Sequence, residues 1–377
     1  MAGIYLHIPF CKQACYYCDF HFSTSLKNKE EMLAAIKKEL VFRKKEFEHE
    51  KINTIYVGGG TPSLLTAKEL ESIFSVIYKN YKVVTDAEIT LEANPDDLSE
   101  KKIKDLAKLP VNRLSIGIQS FFNDDLKFMN RAHTAEESKK SLEIAIRYFD
   151  NITIDLIYGV PNMSSKKWLE NLKLAFKFGI SHISSYALTV EEKTALHSFI
   201  QKGKVPPLDE NLALEHFKIL VSETEKNEFV HYEISNFGKQ NYFSKHNTSY
   251  WLGEKYMGIG PSAHSFNGSE RSWNVSNNAK YVKALTEDKL PNEIEKLSVN
   301  NLFNEYIMTG LRTIWGVSYQ KVEKDFGKNY LQHLKKNTQP FIKRGLLELA
   351  ANNTLITTKK GKFLVDGIAS DLFKINL

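Results

Sequence analysis

Six short β-rich runs alternate with amphipathic helical patterns between residue 4 and about residue 190. The runs cover residues 4–8, 54–58, 88–93, 113–118, 152–159 and 182–188. Such alternation predicts parallel strands joined by right-handed helical crossovers, and therefore an α/β fold. Because six βα units are fewer than the eight of a closed barrel, we expect an open, partial (βα)6 barrel.

Two of the intervening segments begin with the Thr-x-x-Glu pattern of a capping box. These are Thr66 to Glu69 and Thr134 to Glu137. In each, the threonine hydroxyl accepts a bond from a first-turn amide, and the glutamate returns a bond to the threonine amide. The pattern predicts that a helix begins at each site.

Unusual residues collect where the predicted strands end. The cysteine run CKQACYYC follows the first strand and GGGTP the second, while Glu92 and Asn94 follow the third. Strands four to six are followed or ended by Gln119, by Tyr158 and Gly159, and by Ala187. The carboxyl ends of parallel strands meet at one edge, so we expect a ligand site there.

The three cysteines of the chain, Cys11, Cys15 and Cys18, lie within eight positions of one another. An odd, clustered set is not a disulfide framework, and three thiolates are one short of a closed four-cysteine zinc site. Three cysteines suit a 4Fe-4S cluster with one iron left open. The alternative is a zinc site completed by His7 or His21. Supply of all three ligands by a single loop favours the cluster.

An open iron can take the amino nitrogen and carboxylate of S-adenosylmethionine, a cosubstrate whose sulfonium C–S bond a reduced cluster can break. The glycines of GGGTP (58–62) let the backbone approach such a ligand closely, although they equally suit a simple strand-to-helix turn. Glu92 could receive the ammonium or the ribose hydroxyls, and Arg131 the carboxylate. Each alone fits a capping or surface role as well.

The composition is that of an ordinary globular protein, with 42% hydrophobic and 25% charged residues. No apolar stretch is long enough to span a bilayer, and the start of the chain lacks the features of a secretion signal. Three unpaired thiols favour a reducing, cytoplasmic setting. A net charge of +6 is only mildly basic, so we expect no nucleic-acid partner.

Three domains are predicted, with a change of pattern after residue 190. The partial barrel occupies 1–190, and a barrel extension at 191–297 contains a helix near 209–226, a strand-like run at 229–237 and an aromatic loop at 240–266. The remainder, 298–377, reads as three helices and a hairpin with an Asn-Asn turn at 352–353. That order is similar to a winged-helix module, which often serves protein contacts.

Five runs together resemble radical S-adenosylmethionine proteins of the coproporphyrinogen-oxidase-like group over nearly the whole chain: CxxxCxxC, GGGTP, EANP (92–95), RLSIGIQSF (113–121) and DLIYGVP (155–161). The resemblance implies that Cys11, Cys15 and Cys18 ligate a 4Fe-4S cluster. It also implies that S-adenosylmethionine is bound by Tyr5, Tyr17, Gly59, Gly60, Thr61, Glu92, Gln119, Arg131, Asp155 and Ala187.

Two branches of that group differ at positions visible here. The oxygen-independent coproporphyrinogen III oxidases have a further cysteine where this chain has Phe20, and a longer arm before the strand that contains Tyr5. The run KHNTSYW (245–251) instead resembles the HNxxYW signature of HemW-type heme chaperones, which deliver heme to respiratory enzymes. The resemblance therefore implies a heme chaperone, with oxidative decarboxylation of coproporphyrinogen as the alternative.

The HNxxYW-like run supplies the candidate heme-binding residues. His246 could be an axial ligand, Asn247 belongs to the same signature, and Tyr250 and Trp251 offer flat apolar rings with polar edges. The alternative is a packed aromatic loop with a hydrogen-bonded histidine, and His7, His231 and His264 compete as ligands. The implied partners are heme-accepting apoproteins, among them membrane respiratory enzymes, with membrane contact only through a partner. A monomer and a dimer both remain open.

Overall fold

The computed structural model describes residues 2–375. Its first six strands are β1 (Ala2–Ile8), β2 (Lys51–Gly59), β3 (Lys82–Ala93), β4 (Arg113–Gln119), β5 (Asn151–Tyr158) and β6 (His182–Ala187). They are parallel and adjacent in chain order. The predicted α/β partial barrel is thus confirmed, and each of its six strands lies where the β-rich runs place it.

Six helices connect these strands: α1 (Lys29–Phe42), α2 (Ala67–Asn80), α3 (Glu100–Leu106), α4 (Asn123–Phe128), α5 (Ala135–Ala145) and α6 (Ser165–Lys177). Both predicted capping boxes are confirmed. At α2 the Glu69 amide donates to Thr66 Oγ1 over 3.2 Å, and the Thr66 amide donates to the Glu69 carboxylate over 2.7 Å. Because these bonds join residues only three positions apart, the starts of α2 and α5 can be predicted from the sequence.

The segment after β6 widens the sheet at both edges. It contains α7 (Ala195–Gln201), α8 (Glu210–Lys226), β7 (Val230–Glu233), β8 (Asn236–Gly238), α9 (Lys245–Trp251), β9 (Lys255–Ile259), β10 (His264–Phe266), β11 (Glu270–Asn274), α10 (Asn278–Thr286) and β12 (Asn292–Lys296). The complete order is β12-β11-β10-β9-β1-β2-β3-β4-β5-β6-β8-β7, in which β9 lies parallel to β1.

Two expectations for this segment are wrong in detail. The strand-like run at 229–237 is a hairpin of two short strands, β7 and β8, rather than one strand. The predicted loop at 240–266 contains α9, β9 and β10. These elements have only three to seven residues each. Such short elements owe their stability to tertiary pairing, which local periodicity does not report.

The last segment packs around its own apolar core, which includes the buried Phe303, Leu334 and Leu355. Its elements are α11 (Val299–Leu311), β13 (Val317–Ser318), α12 (Tyr319–Phe326), α13 (Lys328–Lys343), β14 (Leu347–Leu349), β15 (Thr354–Thr357) and α14 (Val365–Asp371). The predicted order of three helices and a hairpin is confirmed, with β13 and α14 in addition. The three domain boundaries stay predictions.

No helix within residues 2–375 combines the length and apolarity that crossing a membrane requires.

A buried carboxylate fastens α1 to the strands that extend the barrel. Glu39 is fully buried and accepts bonds from the Gly260 amide (2.9 Å), from Asn274 Nδ2 (2.8 Å) and from the Tyr281 hydroxyl. Arg43, 4% exposed, supplies its counter-charge at 3.2 Å. Both oxygens of this carboxylate are hydrogen-bonded, which offsets part of the cost of burying its charge.

We expect Glu39→Ala to destabilise the fold by about 3–5 kcal/mol, since it leaves Arg43 without a full counter-charge in the interior. Chemical denaturation measures the loss. Glu31→Ala, an exposed change on the same helix, should stay within about 0.5 kcal/mol of the parent. Equal effects of the two changes would contradict this interpretation.

Candidate functional site

A cavity of about 670 Å³ runs from the cysteine loop into the interior of the partial barrel. It is lined by all three cysteines and by nine of the ten predicted cosubstrate residues: Tyr17, Gly59, Gly60, Thr61, Glu92, Gln119, Arg131, Asp155 and Ala187. The tenth, Tyr5, is not part of this lining, and its hydroxyl shares a hydrogen bond with His7 Nδ1 at 3.1 Å. The residues chosen from sequence are therefore brought together.

The loop that contains the cysteines is tied down at its base and at its side. The Cys11 amide donates to Ser23 O (3.0 Å), and the Ser23 amide donates to Pro9 O (2.9 Å). Further along, Asn130 Nδ2, from the turn between α4 and α5, donates to Ala14 O over 2.7 Å. The thiols are thus presented by a loop whose backbone is bonded to the rest of the protein.

The GGGTP turn lies directly against the start of this loop. The Gly60 amide donates to Ile8 O (2.8 Å) and the Thr61 amide to Phe10 O (2.6 Å). A Cβ on Gly60 would lie 2.5 Å from Phe10 O, and one on Gly59, at φ +107°, would lie 2.6 Å from His7 Nδ1. Both glycines are therefore required by packing inside the protein, in addition to any role near a ligand.

The three thiols form a donor set that suits an iron–sulfur cluster. Burial raises the pKa of Cys11, and it raises the pKa of Cys18 to about 11, with the neighbouring thiols adding to both shifts. Thr61 Oγ1 donates to Cys11 Sγ at 3.5 Å and Arg131 Nη1 to Cys15 Sγ at 3.4 Å. These donors would stabilise the thiolates that metal binding produces.

Among residues 2–375, no three or more His, Cys, Asp or Glu side chains converge on a point where one metal ion could bind. A single zinc ion requires its sulfur ligands to converge in this way, whereas a cubane takes each thiolate on a different iron atom. Three thiols on one loop, two of which accept bonds from Thr61 and Arg131, fit the cluster.

Arg131 offers a donor for an anion beside the cluster loop. Its Nη2 donates to Asn94 Oδ1 (2.7 Å) and Gly117 O (2.9 Å), which fixes the plane of the guanidinium. Its Nε is buried without a hydrogen-bond partner. A buried donor left free in this way is costly unless a ligand accepts from it, and a carboxylate fits.

Two carboxylates face the same cavity. Tyr56 donates to Glu92 Oε1 (2.8 Å) and the Gly59 amide to Oε2 (3.1 Å). Burial raises the pKa of Glu92 to about 7, and the charge of Asp155 adds to the rise. Burial likewise raises the pKa of Asp155 to about 7, against the opposing effect of Arg113 and Arg131. Such groups favour a cationic ligand, whose charge would restore their ionisation.

The HNxxYW-like run forms helix α9 rather than a loop. His246 is buried, with Nδ1 2.7 Å from Thr54 Oγ1 and Nε2 2.7 Å from the Tyr250 hydroxyl. Its ring stacks on Tyr56 at 5.0 Å, and burial lowers the pKa of His246 to about 3. Asn247 is the residue of this run that lines the cavity. The Trp251 ring packs against Arg312, 5.2 Å away.

The three competing histidines have other surroundings. His7 Nε2 lies 2.8 Å from His21 O, and His231 Nε2 lies 2.9 Å from Ile234 O. His264 is exposed on β10. None of the three lines the cavity. Phe20, at the position that matters for the oxidase alternative, is 69% exposed and stands at the wall of the cavity.

Two groups of cavity residues escaped the sequence analysis. One comes from the last segment and consists of Arg312, Lys362, Phe363, Val365 and Asp366. The other lies deep in the barrel and includes Arg113, Ser115, Thr153 and Ser184. The alternation on β4 could have indicated Arg113 and Ser115, since they share a face with Gln119. Nothing in the sequence signals that the last segment reaches the site.

Comparison with known protein families agrees with this geometry. Residues 5–175 match the model of the radical SAM superfamily, and residues 297–364 match the model of the HemN C-terminal domain. The chain is similar to the heme chaperone HemW of Bacillus subtilis, at 33% identity over 97% of each chain. It is also similar to the heme chaperone HemW of Lactococcus lactis, at 37% identity over 85% of this chain and 84% of that protein.

Among solved structures, the coproporphyrinogen III oxidase HemN of Escherichia coli superposes with a TM-score of 0.86. The match covers 99% of this chain and 90% of that one, at 21% sequence identity. Similarity at this level of identity shows that the two chains share a fold.

We expect Gly60→Ala to lower the iron content reached on anaerobic reconstitution by at least about half, because the added Cβ displaces Phe10 and with it the cysteine loop. Iron and sulfide analysis, with the visible absorbance of the cluster, provides the measurement. Gly367→Ala, where an added Cβ has no neighbour within 4 Å, is the control. Full cluster assembly in the Gly60 variant would contradict the packing argument.

Proposed function

The chain belongs to the HemW family of the radical SAM superfamily, and we propose that it is a heme chaperone, which binds heme and passes it to heme-accepting apoproteins. The observation that supports this most directly is the presence of both a cluster loop and an HNxxYW-like helix against one cavity. Two bacterial relatives that match nearly all or most of this chain are named heme chaperone.

Membership of the radical SAM superfamily implies a 4Fe-4S cluster and S-adenosylmethionine. When bound, the cluster supplies the electron that can cleave the cosubstrate. In our proposal Cys11, Cys15 and Cys18 hold the cluster, and Arg131 Nε donates to the cosubstrate carboxylate. Glu92 and Asp155 then face its positive charge. The backbone bonds of Gly60 and Thr61 hold the GGGTP turn against the start of the cysteine loop.

Heme binding is proposed for the face of the cavity formed by α9. Asn247 reaches the cavity directly, and Tyr250 and Trp251 follow it on the same short helix. For His246 to become an axial ligand, its Nε2 must release the Tyr250 hydroxyl. The low pKa of His246 favours the neutral ring that iron ligation requires.

The proposed setting is the cytoplasm, with any contact to a membrane made through the acceptor protein. Residues 1–297 contain 39 basic (Lys and Arg) and 39 acidic (Asp and Glu) residues. Residues 298–377 contain 12 basic and 6 acidic residues, so they account for the whole net charge of +6. Helix α13 has no acidic residue, and its exposed lysines at 328, 335, 336 and 343 share one face. This face supports docking to an acidic acceptor surface.

The oxidase alternative is supported less well. Phe20 puts an exposed aromatic ring, instead of a thiol, beside the cluster loop. The similarity to the Escherichia coli oxidase extends to the fold alone, at 21% identity. We therefore keep the chaperone as the proposed function.

The affinity for S-adenosylmethionine should rise from pH 6 to pH 8. With the pKa of Glu92 and of Asp155 each near 7, both carboxyls are largely protonated at pH 6, and the permanently charged sulfonium binds the ionised forms better. Each pH unit below the pKa can lower the affinity by up to about tenfold per group. Equilibrium binding to anaerobically reconstituted protein measures this.

Glu92→Gln should bind the cosubstrate more weakly and with a flatter pH profile, because one of the two titrating groups is gone. Glu71→Gln, an exposed change on α2, should leave the profile of the parent intact. A parent profile that is flat between pH 6 and pH 8 would count against cationic recognition by these carboxylates.

Heme titration tests the α9 proposal. His246→Ala should remove the absorbance signature of histidine ligation and weaken heme binding by about tenfold or more. Tyr250→Phe is the matched variant, because it frees His246 Nε2 and should bind heme at least as well as the parent. An unchanged spectrum in the His246 variant would exclude this residue as the ligand.

The chaperone proposal itself is tested by transfer of heme to an apo-hemoprotein and by anaerobic incubation with coproporphyrinogen III. We expect transfer without release of carbon dioxide. Substantial formation of protoporphyrinogen would instead support the oxidase alternative.

A further inference from the structure

Arg113 is a buried cation whose side chain has almost no partner. It is the first residue of β4, is 1% exposed, and lines the deep part of the cavity. Neither Nε nor Nη2 has a hydrogen-bond partner, and the nearest carboxylate oxygen of an ion pair, Glu88 Oε2, is 4.0 Å from Nε. A guanidinium in the interior normally makes several hydrogen bonds, so this position is incomplete.

Glu88 does not complete it, because both of its oxygens are engaged elsewhere. Oε2 accepts from the Lys245 amide and Oε1 from the His246 amide, each at 3.0 Å. The carboxylate thereby serves the free amides at the start of α9. Its charge is shared between that helix and Arg113, and it offers Arg113 no bond of ordinary length.

Arg113 lies among polar side chains of β4 and β5, which together are called the floor of the cavity. Arg113, Ser115 and Gln119 lie on one face of β4, and Thr153 and Asp155 lie on the matching face of β5. The same lining includes the side chains of Ile157, Tyr186, Leu188, Phe217 and Phe363, together with charged side chains from the last segment. Such a cavity suits a ligand with a large apolar body and an anionic arm.

We propose that Arg113 is the binding residue for a ligand carboxylate at the floor of this cavity. The inference rests on the proposed function and deepens it: the carboxylate is a propionate of the heme cargo. A carboxylate here would accept a forked pair of bonds from the guanidinium. Asn247 follows Lys245 and His246, whose amides donate to Glu88, and it is the residue through which the HNxxYW-like helix borders the same cavity.

Arg113 is not one of the predicted cosubstrate residues, although Gln119 and Asp155 of that set line the cavity with it. The cosubstrate carboxylate has its own donor in Arg131, which stands beside the cysteine loop and whose Nη1 is 3.4 Å from Cys15 Sγ. Arg113 begins β4, whereas Arg131 donates to Gly117 O near the end of the same strand, so the two arginines lie at different ends of the cavity. This separation allows the two carboxylates to be distinguished by experiment.

The test compares heme with heme dimethyl ester, in which both propionates are blocked, on anaerobically reconstituted full-length protein. The parent should bind heme at least about tenfold more tightly than the ester, the value of one charge-assisted contact. Arg113→Gln should bind both ligands alike, at the affinity of the parent for the ester. Its affinity for S-adenosylmethionine should change much less than its preference for heme, because Arg131 remains as the donor to the cosubstrate carboxylate.

Each other outcome is decisive. Equal binding of heme and ester by the parent overturns the inference and leaves the chaperone proposal intact, whereas absence of heme binding overturns the chaperone proposal itself. A preference for heme that persists in Arg113→Gln assigns the propionate to another residue. If Arg113→Gln loses S-adenosylmethionine binding but still prefers heme to the ester, Arg113 binds the cosubstrate and not the heme propionate. If Arg113→Gln does not fold, Arg113→Lys replaces it, with a reduced preference expected because the fork is lost.

Discussion

The site depends on two backbone bonds between the turn after β2 and the loop after β1. Gly60 and Thr61 donate to Ile8 and Phe10, which continues the pairing of the two strands beyond their ends and into the cysteine loop. Any side chain at position 60 would collide with the Phe10 carbonyl. The cluster loop therefore inherits the rigidity of the parallel sheet, and the thiols are presented to a cavity whose other walls belong to the same sheet.

Charge in this cavity is incompletely neutralised at both ends. Near the cysteines, Arg131 retains a buried free donor. Glu92 and Asp155, which face the same cavity, have pKa values of about 7 because burial opposes their ionisation. At the floor, Arg113 faces a carboxylate that is engaged by α9. Buried charged groups that lack partners are less costly when a ligand supplies the opposite charge or the missing hydrogen bond. The groups in this cavity therefore favour ligands that bear charges of both signs.

The last segment contributes to the site as well as to the surface. Arg312 pairs with Glu233 of β7 at 3.0 Å and also with Asp366, while its guanidinium lies over the ring of Trp251. One side chain thus connects the barrel extension, helix α9 and the segment after residue 298. The same segment contains the lysine face of α13, so the surface proposed for acceptors and one wall of the cavity belong to a single unit with its own core.

The sequence alone determined the six parallel strands, both capping boxes and the place where the site would form, because alternation, capping and the clustering of cysteines are local properties of the chain. Nine of the ten cosubstrate candidates, which the family resemblance supplied, line one cavity, and most of them do so because the ends of parallel strands meet at one edge. Only the tertiary structure decided that the HNxxYW-like run is a helix, with His246 enclosed by Thr54 and Tyr250, and that Arg113 lacks a partner. These facts depend on contacts between residues far apart in sequence, and no local pattern records which distant group will complete or leave open a buried hydrogen bond.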